Sequence, residues 1–197
     1  VKAMIDDIQA KYKAESFKVV IDNSPVKLSG DRMDVRVRET NLGNAVADAL
    51  LDYGQSDFTH KSNLAVTNGG GLRETIAKDK PITKGDIIAV LPFGNSVAQI
   101  QVTGQNIYDM FVKSLGSILQ VNESGKNVFD ENGQPLLEPS GGFLQVAGAR
   151  VYYDTTLPTE KRILSIDILD PETGVYKPLN TTETYYLVTN DFLACWW

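Results

Sequence analysis

A mixed α+β fold is predicted by three features of the chain. Amphipathic helical stripes interleave with strand-like runs early, short apolar runs crowd the stretch from Phe143 onward, and their order is too irregular for a doubly wound sheet. The 197 residues, 42% apolar and 22% charged, suit one compact domain with a short appended segment and can bury a sizeable core.

Val1, Met4, Ile5, Ile8 and Tyr12 recur at helical spacing, and this first helix runs out near Lys13. Phe17 to Ile21 reads as a strand ended by the turn formers Asn23-Ser24-Pro25. Residues 1–30 are therefore a lead-in, an interdomain linker of one helix and one strand, and residues 31–197 are the main domain. If the next stretch is extended, Arg36 and Arg38 share one strand face. Thr40 or Asn41 caps a helix with Leu42, Val46, Ala49, Leu50 and Tyr53 on one stripe and Gly54 at its stop. Leu64 to Thr67 is a buried-type strand that runs into Asn68-Gly69-Gly70-Gly71-Leu72-Arg73. Ile87 to Leu91 and Val97 to Val102 read as two strands around the turn Pro92-Phe93-Gly94-Asn95. Gly104 opens a third helix with the stripe Ile107, Met110, Phe111, Leu115 and Ile118. Val121 to Ser140 is expected to be a mobile polar loop. Phe143–Val146, Ala149–Tyr153, Ile163–Leu169 and Tyr185–Thr189 complete the strands.

Composition excludes several functions. Nineteen Lys+Arg against 25 Asp+Glu give a formal net charge of −6, which argues against a nucleic-acid partner. Apolar runs fall far short of the roughly 20 residues a membrane span needs. One cysteine, Cys195, and one histidine, His60, leave neither an internal disulfide nor a His/Cys metal cage. No secretory leader pattern opens the chain, so the alternatives are a cytoplasmic protein or an internal piece of a longer one. Ser24, Ser29, Ser62 and Ser96 lack a second histidine as base, and Asp6-Asp7 belong to a solvated helix face, so no catalytic residue is assigned.

The candidates that remain point to binding. A glycine run after a strand can bring backbone N–H groups close to an anion, and Arg73 can add a bidentate fork. The run lacks the Lys-Ser/Thr of a P-loop and the spacing of a dinucleotide fingerprint, and a plain tight turn fits it too. Arg32, Arg36 and Arg38 either hold a phosphate or carboxylate or pair with Asp31, Asp34 or Glu39 beside them. Phe93, at a turn, either stacks a planar ligand or folds back onto the core; Phe192 in Asn190-Asp191-Phe192 is equally open.

Five blocks in order then carry a resemblance: Arg36-Val37-Arg38-Glu39-Thr40-Asn41-Leu42-Gly43-Asn44 on to Leu50, Asn68 to Arg73, Val90-Leu-Pro-Phe-Gly-Asn95, Gly142-Phe-Leu-Gln-Val-Ala-Gly148 and Thr189-Asn-Asp-Phe-Leu-Ala194. Together they resemble the C-terminal domain of the 5′-nucleotidase family, which includes UDP-sugar hydrolases, 2′,3′-cyclic nucleotide phosphodiesterases and ecto-5′-nucleotidases. The resemblance implies a four-layer α/β/β/α sandwich. It also implies that Phe93 and Phe192 clamp a base, that Arg36, Asn68 and Arg73 hold phosphate and ribose oxygens, and that Gly70 and Gly71 let the ligand approach the backbone. The partners implied are a nucleoside monophosphate or related nucleotide and an N-terminal metallophosphatase domain of the same polypeptide. That domain would carry two divalent metal ions, zinc, manganese or similar, with no cofactor expected in this chain. An extracellular, cell-surface or periplasmic location is implied as well. The alternative is a stand-alone nucleotide-binding or surface interaction module without catalysis. The family's Gly-Gly-Asp-Gly-aromatic stretch is replaced by Cys195-Trp196-Trp197, so a C-terminal truncation, loss of the ribose-binding aspartate and self-association through exposed tryptophans are expected.

Overall fold

The computed structural model describes residues 2–195; Val1, Trp196 and Trp197, and with them the expectation about exposed tryptophans, lie outside the described residues. Helix α1 (Lys2–Ser16) buries none of its side chains. Its neighbours are β1 (Val19–Ile21), paired antiparallel with the two-residue β3 (Ile82–Thr83), and α4 (Lys84–Val90). This lead-in leaves Met4, Ile8, Tyr12 and Phe17 between 61% and 74% exposed.

The main body forms around a four-stranded sheet. Its order is β4 (Val97–Thr103), β9 (Thr184–Asn190), β2 (Leu64–Asn68), β5 (Leu144–Ala147). β2 and β9 run parallel, while β4 and β5 are antiparallel to their neighbours. Alternation along β2 sends Leu64 and Val66 to one face and Ala65 to the other. On the alanine face, α3 (Asn41–Ser56) lies close because Ala47, Ala65, Ala147 and Gly54 are small. A Cβ on Gly54 would come 2.6 Å from Ser62 Oγ and 2.7 Å from Val188 Cγ1. Thr40 caps α3 by accepting from the Gly43 N–H at 3.0 Å. On the other face, Leu64, Val66 and Leu187 pack with Ile107, Met110 and Phe111 of α5 (Gly104–Ser114). Ile166 and Ile168 complete that core from a three-stranded meander, β6 (Ala149–Tyr153), β7 (Ile163–Leu169) and β8 (Tyr176–Pro178). Helix, large sheet, and small sheet with α5 make the mixed α+β class that the sequence predicts.

Three local expectations are corrected. Ile87 to Leu91 is not a strand: Thr83 and Asp86 form a capping box that starts α4, and this local signal overrides the β-branched run. The stretch before α3 is not extended either. Asp31 caps a one-turn helix, α2 (Arg32–Val35), and Arg36 sits at its C-terminal end. The third helical stripe stops short, since α5 ends at Ser114 and Ile118 is 75% exposed. Within Val121 to Ser140, expected to be a loop, isolated bridges pair Val121 with Asn127 and Phe129 with Pro135, and Leu137 is buried in a small cluster with Leu115 and Phe143.

Candidate functional site

Strand direction gathers the candidate residues at one end of the large sheet. β2 and β9 are parallel, so Asn68 and Asn190 finish at the same end. β4 begins there, because Val97 pairs with Asn190, and β5 begins there, because Leu144 pairs with Asn68. Phe93 lies just before β4; Phe192 lies in the one-turn α6 (Asp191–Ala194) just after β9. The backbone bond from Asp191 N–H to Ser96 O, 2.9 Å, ties the two segments. Phe93 and Phe192 are 59% and 53% exposed, so neither ring folds back into the core. Asn68, Gly70, Gly71, Phe93 and Phe192 all line one open cleft of about 1150 Å³, outside the carboxyl ends of the parallel strands. α5 forms its other wall through Asp109, Met110 and Lys113.

Two backbone donors of the glycine run are taken within the protein, as the tight-turn alternative requires. Gly69 and Gly70 donate their N–H groups to Phe143 O (2.7 Å) and Gly141 O (3.0 Å), so these two donors are committed within the protein. A Cβ on Gly69 would overlap Val35 O at 2.0 Å, and one on Gly70 would meet Gly141 O at 3.0 Å. Close backbone packing of three loops requires glycine here. Asn68 braces the same junction: its Nδ2 donates to Gly141 O at 3.1 Å, and its Oδ1 lies 3.5 Å from Asn190 Nδ2.

Of the predicted cations, Arg73 stands beside a phenyl ring, and neither it nor Arg36 is among the residues that line the cleft. The Arg73 guanidinium lies 5.7 Å from the Phe93 ring centroid. Arg36 is half-buried, with Nη1 about 4.0 Å from the space a Cβ on Gly141 would take. Its pKa is lowered by burial first and by the charges of Arg32 and Arg73 next. Among the described residues no carboxylate pairs with Arg32, Arg36 or Arg73. Arg38 takes the opposite course and pairs with Asp34 (2.6 Å) and Glu131 (2.8 Å), so the helical turn separates it from Arg36.

Two features of the site escape the sequence reading. Asn95 lines the cleft two residues beyond Phe93. Gln145, 1% exposed, accepts from Thr40 N–H (3.0 Å) and donates to Val35 O (3.1 Å) and Arg38 O (2.8 Å), clamping the turn that carries Arg36. The only hint of it in the sequence is a glutamine inside an otherwise apolar strand, Phe143 to Ala147. Among the described residues no three His, Cys, Asp or Glu side chains group as a metal site.

Fold and cleft define an α+β domain with an open pocket at its strand ends, lined by two phenyl rings. The chain belongs to the 5′-nucleotidase C-terminal domain family, whose model matches residues 19–195. It is 32% identical over 194 residues to the trifunctional nucleotide phosphoesterase protein YfkN of Bacillus subtilis, covering 94% of this chain and 12% of that one. The 5′-nucleotidase of Homo sapiens is 27% identical over 205 residues, covering 96% of this chain and 33% of the human protein. The crystal structure of a 5′-nucleotidase precursor from Thermus thermophilus superposes with a TM-score of 0.74 at 31% identity, over 98% of this chain and 33% of that one. The chain thus spans a third or less of the length of these relatives.

Proposed function

We propose that this domain is the nucleotide-binding part of a metal-dependent 5′-nucleotidase or related nucleotide phosphoesterase. The observation that carries the reading is that two half-exposed phenyl rings, Phe93 and Phe192, line one cleft at the sheet end, with the Arg73 guanidinium 5.7 Å from the Phe93 ring centroid. A base fits between or upon Phe93 and Phe192, since stacking needs only a π-face. Arg36 and Arg73 supply delocalised positive charge for phosphate oxygens, and Asn68, whose Nδ2 keeps a second hydrogen beyond its bond to Gly141 O, has that one for the ribose side. A nucleoside monophosphate or a larger nucleotide fits such a cleft.

Hydrolysis in this reading belongs to an N-terminal metallophosphatase domain of the same polypeptide, whose two divalent ions activate water. The described residues offer no donor set for those ions, so this chain's part is to bind and orient. The exposed apolar side chains of the lead-in and α4, among them Ile8, Tyr12, Phe17 and Ile88, suit the side that meets that domain. An extracellular or surface location follows in the same reading, since the matched relatives include a venom 5′-nucleotidase of Gloydius brevicauda, 30% identical over 213 residues.

The test is a calorimetric titration with AMP and with adenosine, on the wild-type chain and on Arg36→Ala. The expected result is a loss confined to AMP, because only AMP carries the phosphate. Equal effects on both ligands, or no binding of AMP at all, would overturn the assignment.

A further inference from the structure

A second cavity, of about 320 Å³, lies between α5 and strands β5 and β6. Phe111, Leu115, Phe143 and Val151 form its apolar floor, and Glu39, Tyr152 and Tyr153 stand at its mouth. It shares only Ser114 and Leu144 with the nucleotide cleft.

Two carboxylates near this mouth lack a cation partner among the described residues. Glu39 accepts from Asn44 Nδ2 at 2.6 Å, a neutral donor, and no cation pairs with it among the described residues. Asp130 is likewise held by neutral donors, the N–H groups of Asn132 and Gln134. Burial, and then the negative fields of Glu39 and Asp130, raise the pKa of the Tyr153 phenol. Arg150 also lines the cavity, but its guanidinium stacks 3.9 Å over the ring of Tyr176, which is no part of the lining. The segment 32–41 thus carries, among the described residues, Arg32 and Arg36 without a carboxylate partner and Glu39 without a cation partner.

We propose that this cavity is a second ligand site, selective for a small organic cation with an apolar body, such as an arylalkylammonium. The apolar part enters among Phe111, Leu115 and Phe143, and the ammonium stays at the mouth between the Glu39 carboxylate and the faces of Tyr152 and Tyr153. An aromatic wall with a nearby carboxylate favours a cation over a neutral or anionic molecule of the same shape. A volume near 320 Å³ sits at the small end of ligand pockets and suits a single ring with a short tail. Gln145, whose side chain clamps the Arg36 turn, lies in the lining as well.

The experiment titrates the chain with phenethylammonium, 2-phenylethanol and phenylacetate, followed by NMR shifts of Glu39, Tyr152 and Tyr153. Saturable phenethylammonium binding is expected, about tenfold or more tighter than 2-phenylethanol, with phenylacetate weaker still. Glu39→Gln, which keeps an oxygen for Asn44, should bring the cation to within about threefold of the alcohol. Saturating AMP should leave the phenethylammonium shifts in place, so failure here and failure of the nucleotide reading are separable. Equal affinity for the three probes, shifts confined to the cleft, displacement by AMP, or no saturation would overturn the proposal, and the wild-type comparison decides the matter even if the variant unfolds.

Discussion

Gln145→Leu should be among the most damaging single changes in the domain that leave the apolar core filled. The side chain makes three hydrogen bonds to backbone groups, at 3.0, 3.1 and 2.8 Å, and the partners run from the last residue of α2, Val35, through Arg38 to the α3 cap, Thr40. Val35 is 0% and Thr40 8% exposed, so water cannot replace the lost bonds without opening the turn. Three bonds at about 1 kcal/mol each set a floor near 3 kcal/mol. If the buried Thr40 N–H and Val35 O stay unsatisfied, the cost rises toward about 6 kcal/mol. Urea unfolding followed by circular dichroism measures the sum, and amide exchange at Thr40 reports whether the turn opens locally. A loss under about 1 kcal/mol, with Thr40 exchange unchanged, would refute the clamp.

Three other outcomes are expected. Gly54→Ala should destabilise by about 1–3 kcal/mol despite the better helix former, because its Cβ meets Ser62 and Val188 at 2.6 and 2.7 Å; thermal unfolding checks this. Arg162→Met should cost about 3 kcal/mol in urea unfolding. The buried guanidinium donates to Leu115 O, to Ser117 O at 2.6 Å and to Leu157 O at 3.1 Å, and all three carbonyls would lose their donor. Lys177, with backbone donors, lowers the Asp170 pKa to about 2. Its folded value thus lies below the unfolded one, so its contribution is full above the ordinary carboxylate range and is lost as pH falls toward about 2. Asp170→Asn should flatten that limb of an acid-unfolding curve, and an unchanged limb would show that the pair contributes nothing there.

Much of the fold is legible in the chain where a signal is local. The existence of α3, the strand before the glycine run and most of the α5 stripe follow from periodicity, although α3 buries Leu42, Ala47, Leu51 and Gly54 and leaves the expected Ala49 and Tyr53 exposed. Four of the five sequence blocks converge because four strands share one end. The rest is decided by competition or by distance. At α4 the Thr83–Asp86 capping box outweighs a run of β-branched residues, and at Arg36 the Asp31 cap turns an extended segment into a helical one. Leu137 reads as part of a solvated loop because the residues that bury it, Leu115 and Phe143, are remote or belong to another element. Gln145 is silent for the same reason: its partners lie 105 to 110 positions earlier.

The proposed nucleotide binding rests on aromatic stacking by Phe93 and Phe192 at the sheet end. Calorimetric titration of AMP and ribose 5-phosphate against wild type, Phe93→Ala and Phe192→Ala tests it most directly. Each substitution should cost AMP about 1–3 kcal/mol, roughly 5- to 150-fold in affinity, and leave ribose 5-phosphate nearly unchanged because it has no base to stack. AMP affinity equal to wild type in both variants, or equal losses for the two ligands, would contradict it.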